Sequence, residues 1–285
     1  MRALVVIAHY FKARNGSIYS SEQERLRQQR QACIEQVVQT WRGFFGTSAT
    51  IDIAHKRTKI DPTPVDKLDI CVLVNDSNHL LTPEFEKACN IRKINVRVAD
   101  TRYLPFGAHR LMAESRKLYD WFVYSEDDIL LRDALLFRKL EAFQARFGPS
   151  RILQPNRYEM NPRSWRIKTY IDGDLRGGFI EPYLKHVEER AEILLHESEL
   201  GTLTYSRARN PHSGFFALNA EQLAHWTAQP SFLDLDCSFV LPLESAATLS
   251  LLKAFSLYKT TPPYQSYFEM EHLDTKFSNL RLPVM

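Results

Sequence analysis

The sequence is short of the residues that make covalent staples, membrane anchors or ready-made cofactor motifs. Its four cysteines, Cys33, Cys71, Cys89 and Cys237, lie far apart and form no C-x-x-C pair. That usage fits a reduced, cytoplasmic chain better than a disulfide framework, with Cys71 and Cys237 reading as small core residues in apolar runs. No stretch approaches the roughly 20 apolar residues that a membrane-spanning helix requires, which leaves only peripheral membrane contact open. The opening segment Met1–Ala8 carries a six-residue apolar run. It lacks the longer core and small-residue cleavage site of a signal peptide and reads as a strand. Charge of one sign is scarce too: 37 Lys and Arg stand against 34 Asp and Glu, a formal net charge of +3. So small an excess does not describe a general nucleic-acid binder, although local basic patches can still hold phosphates.

Familiar catalytic signatures are also missing. No G-x-G-x-x-G follows the first strand, and Gly173-Asp174-Leu175-Arg176-Gly177-Gly178 has the wrong spacing for a dinucleotide loop. There is no Walker lysine motif. His196-Glu197-Ser198-Glu199-Leu200 lacks the second histidine of a zinc protease. Pro211-His212-Ser213-Gly214 carries proline where a nucleophile elbow needs its first glycine.

What remains is ordinary globular composition, with 44% hydrophobic and 25% charged residues over 285 positions. A chain of this length buries about 75% of its unfolded surface and needs no staples. Ala3–Ala8 reads as a buried strand, followed by a long helix whose apolar positions Leu26, Cys33, Ile34, Val37, Val38, Trp41 and Phe45 recur at helical spacing. Further strands are expected at Thr50–Ala54, Ile70–Val74, Val96–Ala99 and Trp121–Tyr124, with helices at Leu111–Tyr119 and Ala134–Phe147. This β-α-β alternation with buried strands argues for a parallel α/β sheet. In the less regular second half, strands are expected at Arg151–Gln154, Trp165–Ile171 and Ser213–Leu218. Helices are expected at Pro182–Leu195, Ala220–Trp226 and Leu243–Tyr258. No repeat, low-complexity segment or linker interrupts residues 1–285, so one domain is expected, with halves at 1–131 and 132–285.

The most informative segment runs from Tyr119 to Leu131. The apolar strand Trp121-Phe122-Val123-Tyr124 gives way to Ser125-Glu126-Asp127-Asp128-Ile129, placing three carboxylates directly after a buried strand. Ligands of open α/β sheets bind at the carboxyl ends of strands. Adjacent carboxylates repel one another and raise each other's pKa unless a cation intervenes. A divalent ion would relieve that repulsion and bridge to phosphates; the alternative is an acidic cap on the helix that follows.

A strand ending in Tyr-x-Glu-Asp-Asp-Ile resembles the metal-binding DXD motif of GT-A-fold (Rossmann-like) glycosyltransferases. The resemblance is specific around 119–131 and extends elsewhere as layout, implying an α/β, GT-A-like mixed, mostly parallel sheet flanked by helices. It implies Mn²⁺ or Mg²⁺ as cofactor, a nucleotide-diphosphate sugar as donor and a saccharide or other hydroxyl as acceptor. It implies Asp128 as a direct metal ligand, Glu126 or Asp127 at the ribose or the metal's water shell, and His272 in Glu271-His272-Leu273 as a late metal ligand. His9 and Tyr10 would meet the base, Asp76 the nucleotide, and Ser213 and Gly214 the donor sugar. Arg97, Arg102, His109 and Arg110 precede the acidic strand and are candidates for neutralising diphosphate, since arginine grips phosphate bidentately. Tyr264, Tyr267 and Phe268 form either a sugar-stacking wall or core. Glu244, at the start of a helix, resembles the position of the family's catalytic acid residue and is either a general base or a helix-terminal acid. Inversion is the expected stereochemical course, with retention open. A nucleotidyltransferase or a non-catalytic nucleotide- or glycan-binding module would share much of this pattern.

Overall fold

The computed structural model describes residues 1–198, 201–262 and 264–280. In chain order the first half comprises β1 (Arg2–Ala8), α1 (Arg27–Phe45), β2 (Ala49–Asp52), β3 (Arg57–Ile60), β4 (Lys67–Val74) and α2 (Pro83–Ala88). It continues with β5 (Ile91–Asn95), α3 (Phe106–Glu114), β6 (Trp121–Glu126), β7 (Ile129–Leu131) and α4 (Leu136–Phe147). The second half comprises β8 (Arg151–Leu153), β9 (Asn156–Met160), β10 (Lys168–Tyr170), α5 (Glu181–Leu184), β11 (Ile193–Ser198) and β12 (Gly201–Arg207). After these come β13 (Phe215–Asn219), α6 (Ala220–Thr227), α7 (Pro242–Glu244), α8 (Ser250–Leu252), β14 (Ser256–Thr260) and β15 (Glu269–His272).

The central sheet has the order β13-β6-β1-β4-β5. Its four first-half strands are parallel, and β13 joins antiparallel to β6. The mixed, mostly parallel sheet expected from the sequence is therefore the one observed. Its strands are apolar almost without break because both faces are covered. Along β1, Ala3, Val5 and Ile7 pack on one side with the α1 residues Ile34, Val37, Val38 and Trp41. Leu4, Val6 and Ala8 pack on the other with Ala108 and Met112 of α3 and Leu223 and Trp226 of α6. This alternation is the two-residue period of a strand. α6 begins with a capping box, in which Asn219 accepts from the Gln222 N–H and Gln222 accepts from the Asn219 N–H.

Two four-stranded mixed sheets complete the molecule, ordered β10-β9-β15-β7 and β11-β12-β14-β8. Here the structure corrects several expectations. The strand expected at Val96–Ala99 lies earlier, at Ile91–Asn95, where it pairs with β4. The helix expected over Pro182–Leu195 stops at Leu184, and 193–198 becomes a strand against β12. The helix expected over Leu243–Tyr258 ends at Leu252, passing through a buried π-helical segment at Ser245–Leu249. Its continuation is β14, buried between β12 and β8. An apolar run hidden on every side carries no period that separates helix from strand. The short strand expected near Thr50 is present as β2, which pairs with β3 in a separate two-stranded hairpin. Among the described residues, no helix is long and apolar enough to cross a membrane.

His109 is likewise corrected from a diphosphate cation to a core residue. Its ring packs among Phe106, Phe216 and Trp226, and Nε2 donates to the Ala246 carbonyl at 2.9 Å. Burial pushes its pKa from 6.5 down to about 4, against the opposing pull of that hydrogen bond. The folded state thus favours the neutral ring, so this contribution is complete above pH 6.5 and is lost as pH falls towards 4. We expect roughly 3 kcal/mol of stability to disappear across that window. Urea titrations at stepped pH should show this slope, and His109→Gln, which keeps a donor for Ala246, should flatten it.

Candidate active site

β6 carries the acidic turn to the carboxyl end of the central sheet, and β7 turns away immediately after it. Glu126 is the last residue of β6, and its N–H donates to the Gly214 carbonyl at 2.8 Å. Asp127 and Asp128 occupy the turn itself. Beside them opens a cleft of about 670 Å³, whose walls include Tyr10, Arg14, Arg30, Arg102, Asp127 and Glu244. This volume is in the range of small-molecule sites, roughly 300–1,000 Å³.

Asp127 is committed to the protein on both oxygens. The Leu80 N–H donates to His9 Nε2 at 3.0 Å, so His9 carries its proton on Nδ1 and donates it to Asp127 Oδ2 at 2.5 Å. Asp127 Oδ1 receives Arg30 Nη2. The same guanidinium donates through Nη1 to Asp128 Oδ2 at 2.7 Å. Burial works against charge on Arg30, but Asp127 and Asp128 outweigh it and raise its pKa further. Asp128 is held at about 2: burial pushes it up, while Arg30 and then His272 pull it down more strongly. Its Oδ1 is buried and has no hydrogen-bond partner.

Glu126 has the opposite fate. Burial first, then repulsion from Asp128, raises its pKa well above the carboxylate range, with Arg157 opposing. Gly214 makes room for it. This glycine has φ +58°, and a Cβ there would lie 2.7 Å from Glu126 Oε2. Behind the turn, Asp172 accepts from Arg157 Nε at 3.0 Å and from Lys259 Nζ at 2.7 Å. Lys259 also donates to the His212 carbonyl at 3.1 Å, and burial lowers its pKa to about 8. The His212 ring stays neutral because burial, then Arg157 and Lys259, drive its pKa well down.

His272 completes the cluster from β15. Its Nδ1 donates to Glu159 Oε1 at 3.0 Å, and its Nε2 stands 3.8 Å from Asp128 Oδ2. Burial alone would lower its pKa, but Asp128 and Glu159 raise it. Among the described residues, no group of three or more His, Cys, Asp or Glu is arranged to hold a metal ion unaided. A hard divalent ion commonly takes only one or two protein ligands and completes its shell with phosphate and water. The bare Asp128 Oδ1 and His272 Nε2, which stands beside the Asp128 carboxylate, fit that partial donor set.

The structure thus gathers His9, Glu126, Asp127, Asp128, Ser213, Gly214 and His272 around one turn. Ser213 is fully buried and donates to the Pro155 carbonyl at 3.1 Å. Tyr10, Arg102 and Glu244 line the cleft, Arg102 paired with Asp100 at 2.6 Å. Glu244 Oε2 is buried without a partner. Besides His109, three of the expected polar groups fall outside. Asp76, at φ +51°, bonds Asn95 instead of facing the cleft. Arg110 lies on the exposed face of α3, whose buried face carries His109 and Met112. Arg97 projects into solvent, 3.9 Å from Asp76. Phe268 is core, and Lys139 lies over the half-buried Tyr267 ring.

Sequence reasoning missed Arg30, Arg157, Glu159, Asp172, His212 and Lys259. For Arg30 a signal existed, since it continues the buried stripe of Cys33, Ile34, Val37, Val38 and Trp41. An arginine in such a stripe needs a buried anionic partner.

No family model matches the chain, and no curated protein matches it. Solved structures of similar fold include glucosyl-3-phosphoglycerate synthase from Mycobacterium tuberculosis in complex with Mg²⁺ and uridine-diphosphate, at 13% identity and TM-score 0.35. That likeness covers 77% of this chain and 57% of the other. Mannose-1-phosphate geranyltransferase from Thermus thermophilus is similar at 12% identity and TM-score 0.42, covering 91% of this chain and 74% of the other. S. aureus TarS 1-349 is similar at 12% identity and TM-score 0.44, covering 94% and 62%. The chain spans 57% and 64% of the length of two of the mycobacterial proteins it resembles. With scores this low, function rests on the side chains of the site.

The fit between Gly214 and Glu126 gives a direct check. Gly214→Ala adds both left-handed backbone strain and a clash, whereas Gly16→Ala, at φ +75° with open space around it, adds strain alone. Denaturant melts should show a loss of about 1 kcal/mol for Gly16→Ala and a clearly larger loss for Gly214→Ala.

Proposed function

We propose that the protein is a metal-dependent glycosyltransferase that moves a sugar from a nucleotide-diphosphate donor to an acceptor hydroxyl. The observation that carries this reading is the pairing at Asp128. Asp128 Oδ1 is buried without a partner, and His272 Nε2 stands 3.8 Å from the other oxygen of the same carboxylate, next to Asp127, which lines the cleft of about 670 Å³. The same motif underlies the resemblance to GT-A enzymes read from the sequence.

Asp128 and His272 would hold a divalent ion, Mn²⁺ or Mg²⁺. When bound, that ion supplies Lewis-acid stabilisation of charge developing on the departing diphosphate. The chain's own residues do the rest. Arg30 and His9 fix Asp127, which keeps the turn rigid and its carboxylates apart. Arg30 also reaches the cleft wall, where its guanidinium offers positive charge to phosphate. Tyr10 and Arg102 bind and orient the nucleotide within the cleft. Gly214 leaves the space that the Glu126 carboxyl occupies at the end of β6. Glu244 accepts the acceptor hydroxyl's proton on its unpartnered Oε2 as the anomeric carbon is attacked, giving inversion.

Thermal-shift screening of nucleotide-sugars with and without Mn²⁺ identifies the donor. Product analysis then separates glycosyl transfer, which frees a nucleoside diphosphate, from nucleotidyl transfer, which frees pyrophosphate from a triphosphate. Asp128→Asn should abolish both turnover and metal-dependent nucleotide binding while the far-UV circular dichroism stays native. Full activity of that variant at saturating metal would refute the metal-site reading. Glu244→Gln should cut kcat by about 10²–10⁴-fold with donor affinity nearly intact. Near-normal turnover, or a product of retained configuration, would remove Glu244 from the mechanism.

A further inference from the structure

Glu159 lies outside the acidic turn, and nothing in the mechanism above uses it. It is fully buried on β9, yet every hydrogen bond of its carboxylate leads to the chain around His272. Its Oε1 accepts from His272 Nδ1 at 3.0 Å. Its Oε2 accepts the backbone N–H of Ser278 at 2.7 Å and of Phe277 at 3.1 Å. The carboxylate therefore joins the imidazole to the turn that follows β15. Asn161, two residues further along, donates to Asn279 at 2.8 Å and closes the turn from the same side.

We propose that Glu159 is a positioning residue that turns His272 into a metal ligand, an inference that rests on the metal-site reading of Asp128 and His272. A neutral imidazole has one lone pair, and the hydrogen bond made by one ring nitrogen decides which nitrogen offers it. An ionised carboxylate accepts only, so His272 must carry its proton on Nδ1, and the lone pair falls on Nε2. Nε2 is the nitrogen that faces Asp128, 3.8 Å from Oδ2. Oδ2 itself accepts from Arg30, so a shared ion would take the bare Oδ1 of the same carboxylate together with Nε2. The two backbone bonds to Oε2 hold Glu159 in place and stop it from turning its own charge towards the ion. Carboxylate–imidazole pairing of this kind also makes the ring a stronger donor, and imidazole suits a transition-metal ion better than Mg²⁺. Glu159 thereby biases the site towards Mn²⁺.

The test is Mn²⁺ binding by the whole chain without nucleotide, with free Mn²⁺ counted by electron paramagnetic resonance. Glu159→Gln is expected to weaken binding by about 10–100-fold. Its competition profile should shift towards Mg²⁺. His272→Gln should lose a similar factor, and the double variant should lose no more than His272→Gln alone, because Glu159 acts through the ring. Unchanged Mn²⁺ affinity in Glu159→Gln, or losses that add in the double variant, would overturn the proposal. If Asp128→Asn still weakens Mn²⁺ binding in that case, the metal-site reading survives without Glu159. A wild-type chain that takes up no Mn²⁺ would sink both. Should Glu159→Gln fail to fold, the wild-type ¹⁵N ring spectrum decides: an Nδ1-protonated His272 is the expected result, and an Nε2-protonated ring overturns it.

Discussion

Crowding of like charge at the end of one strand is the constraint around which this molecule is organised. Glu126, Asp127 and Asp128 are consecutive and largely withdrawn from water. Unsupported, such a turn would protonate or open. Support comes from three directions. Arg30 on α1 spans Asp127 and Asp128, His9 at the end of β1 braces Asp127, and His272 on β15 faces Asp128. A second buried group, Arg157 with Asp172 and Lys259, sets positive charge behind Glu126. The three carboxyl groups meet different environments and consequently split, Asp128 to the acid side of its usual range and Glu126 well above. Such splitting is a frequent mark of functional sites.

The first half of the fold was largely legible because its strands and helices have distinct periods. β1, β4 and β6 are continuous apolar runs, α1 and α4 are amphipathic, and β-α-β order admits few arrangements. The second half resisted for a physical reason. β14 is buried along its whole length in the sheet with β12 and β8, so its residues show no alternation. Buried strands and short buried helices then look alike in one dimension.

The site was legible in proportion to how local it is. The acidic turn announces itself in three adjacent letters, whereas His272 and Glu244 were named only through the resemblance. Glu159, Arg157 and Asp172 could not, because each takes its meaning from a partner far away in sequence. The three outliers, Asp76, Arg97 and Arg110, share a different fault. They are polar residues near functional strands in sequence, but the backbone turns them towards β5 or solvent. Proximity along the chain did not decide which way a side chain points.

Arg30 has a consequence for how this protein could evolve or be engineered. It occupies a core position of α1, in register with Ile34, Val37 and Trp41, where leucine would fill the space without any need for charged partners. Replacing buried ionic groups with well-packed apolar ones is often neutral or stabilising when all partners change together. A selection scheme that rewards thermal resistance alone would therefore drift towards an oily α1 and a neutral turn after β6. The product would be a sturdier protein with an intact sheet and an uncharged turn beside its cleft. Screens for robust variants of this scaffold have to score ligand binding at every round, or they will select away the residues that make the cleft worth having.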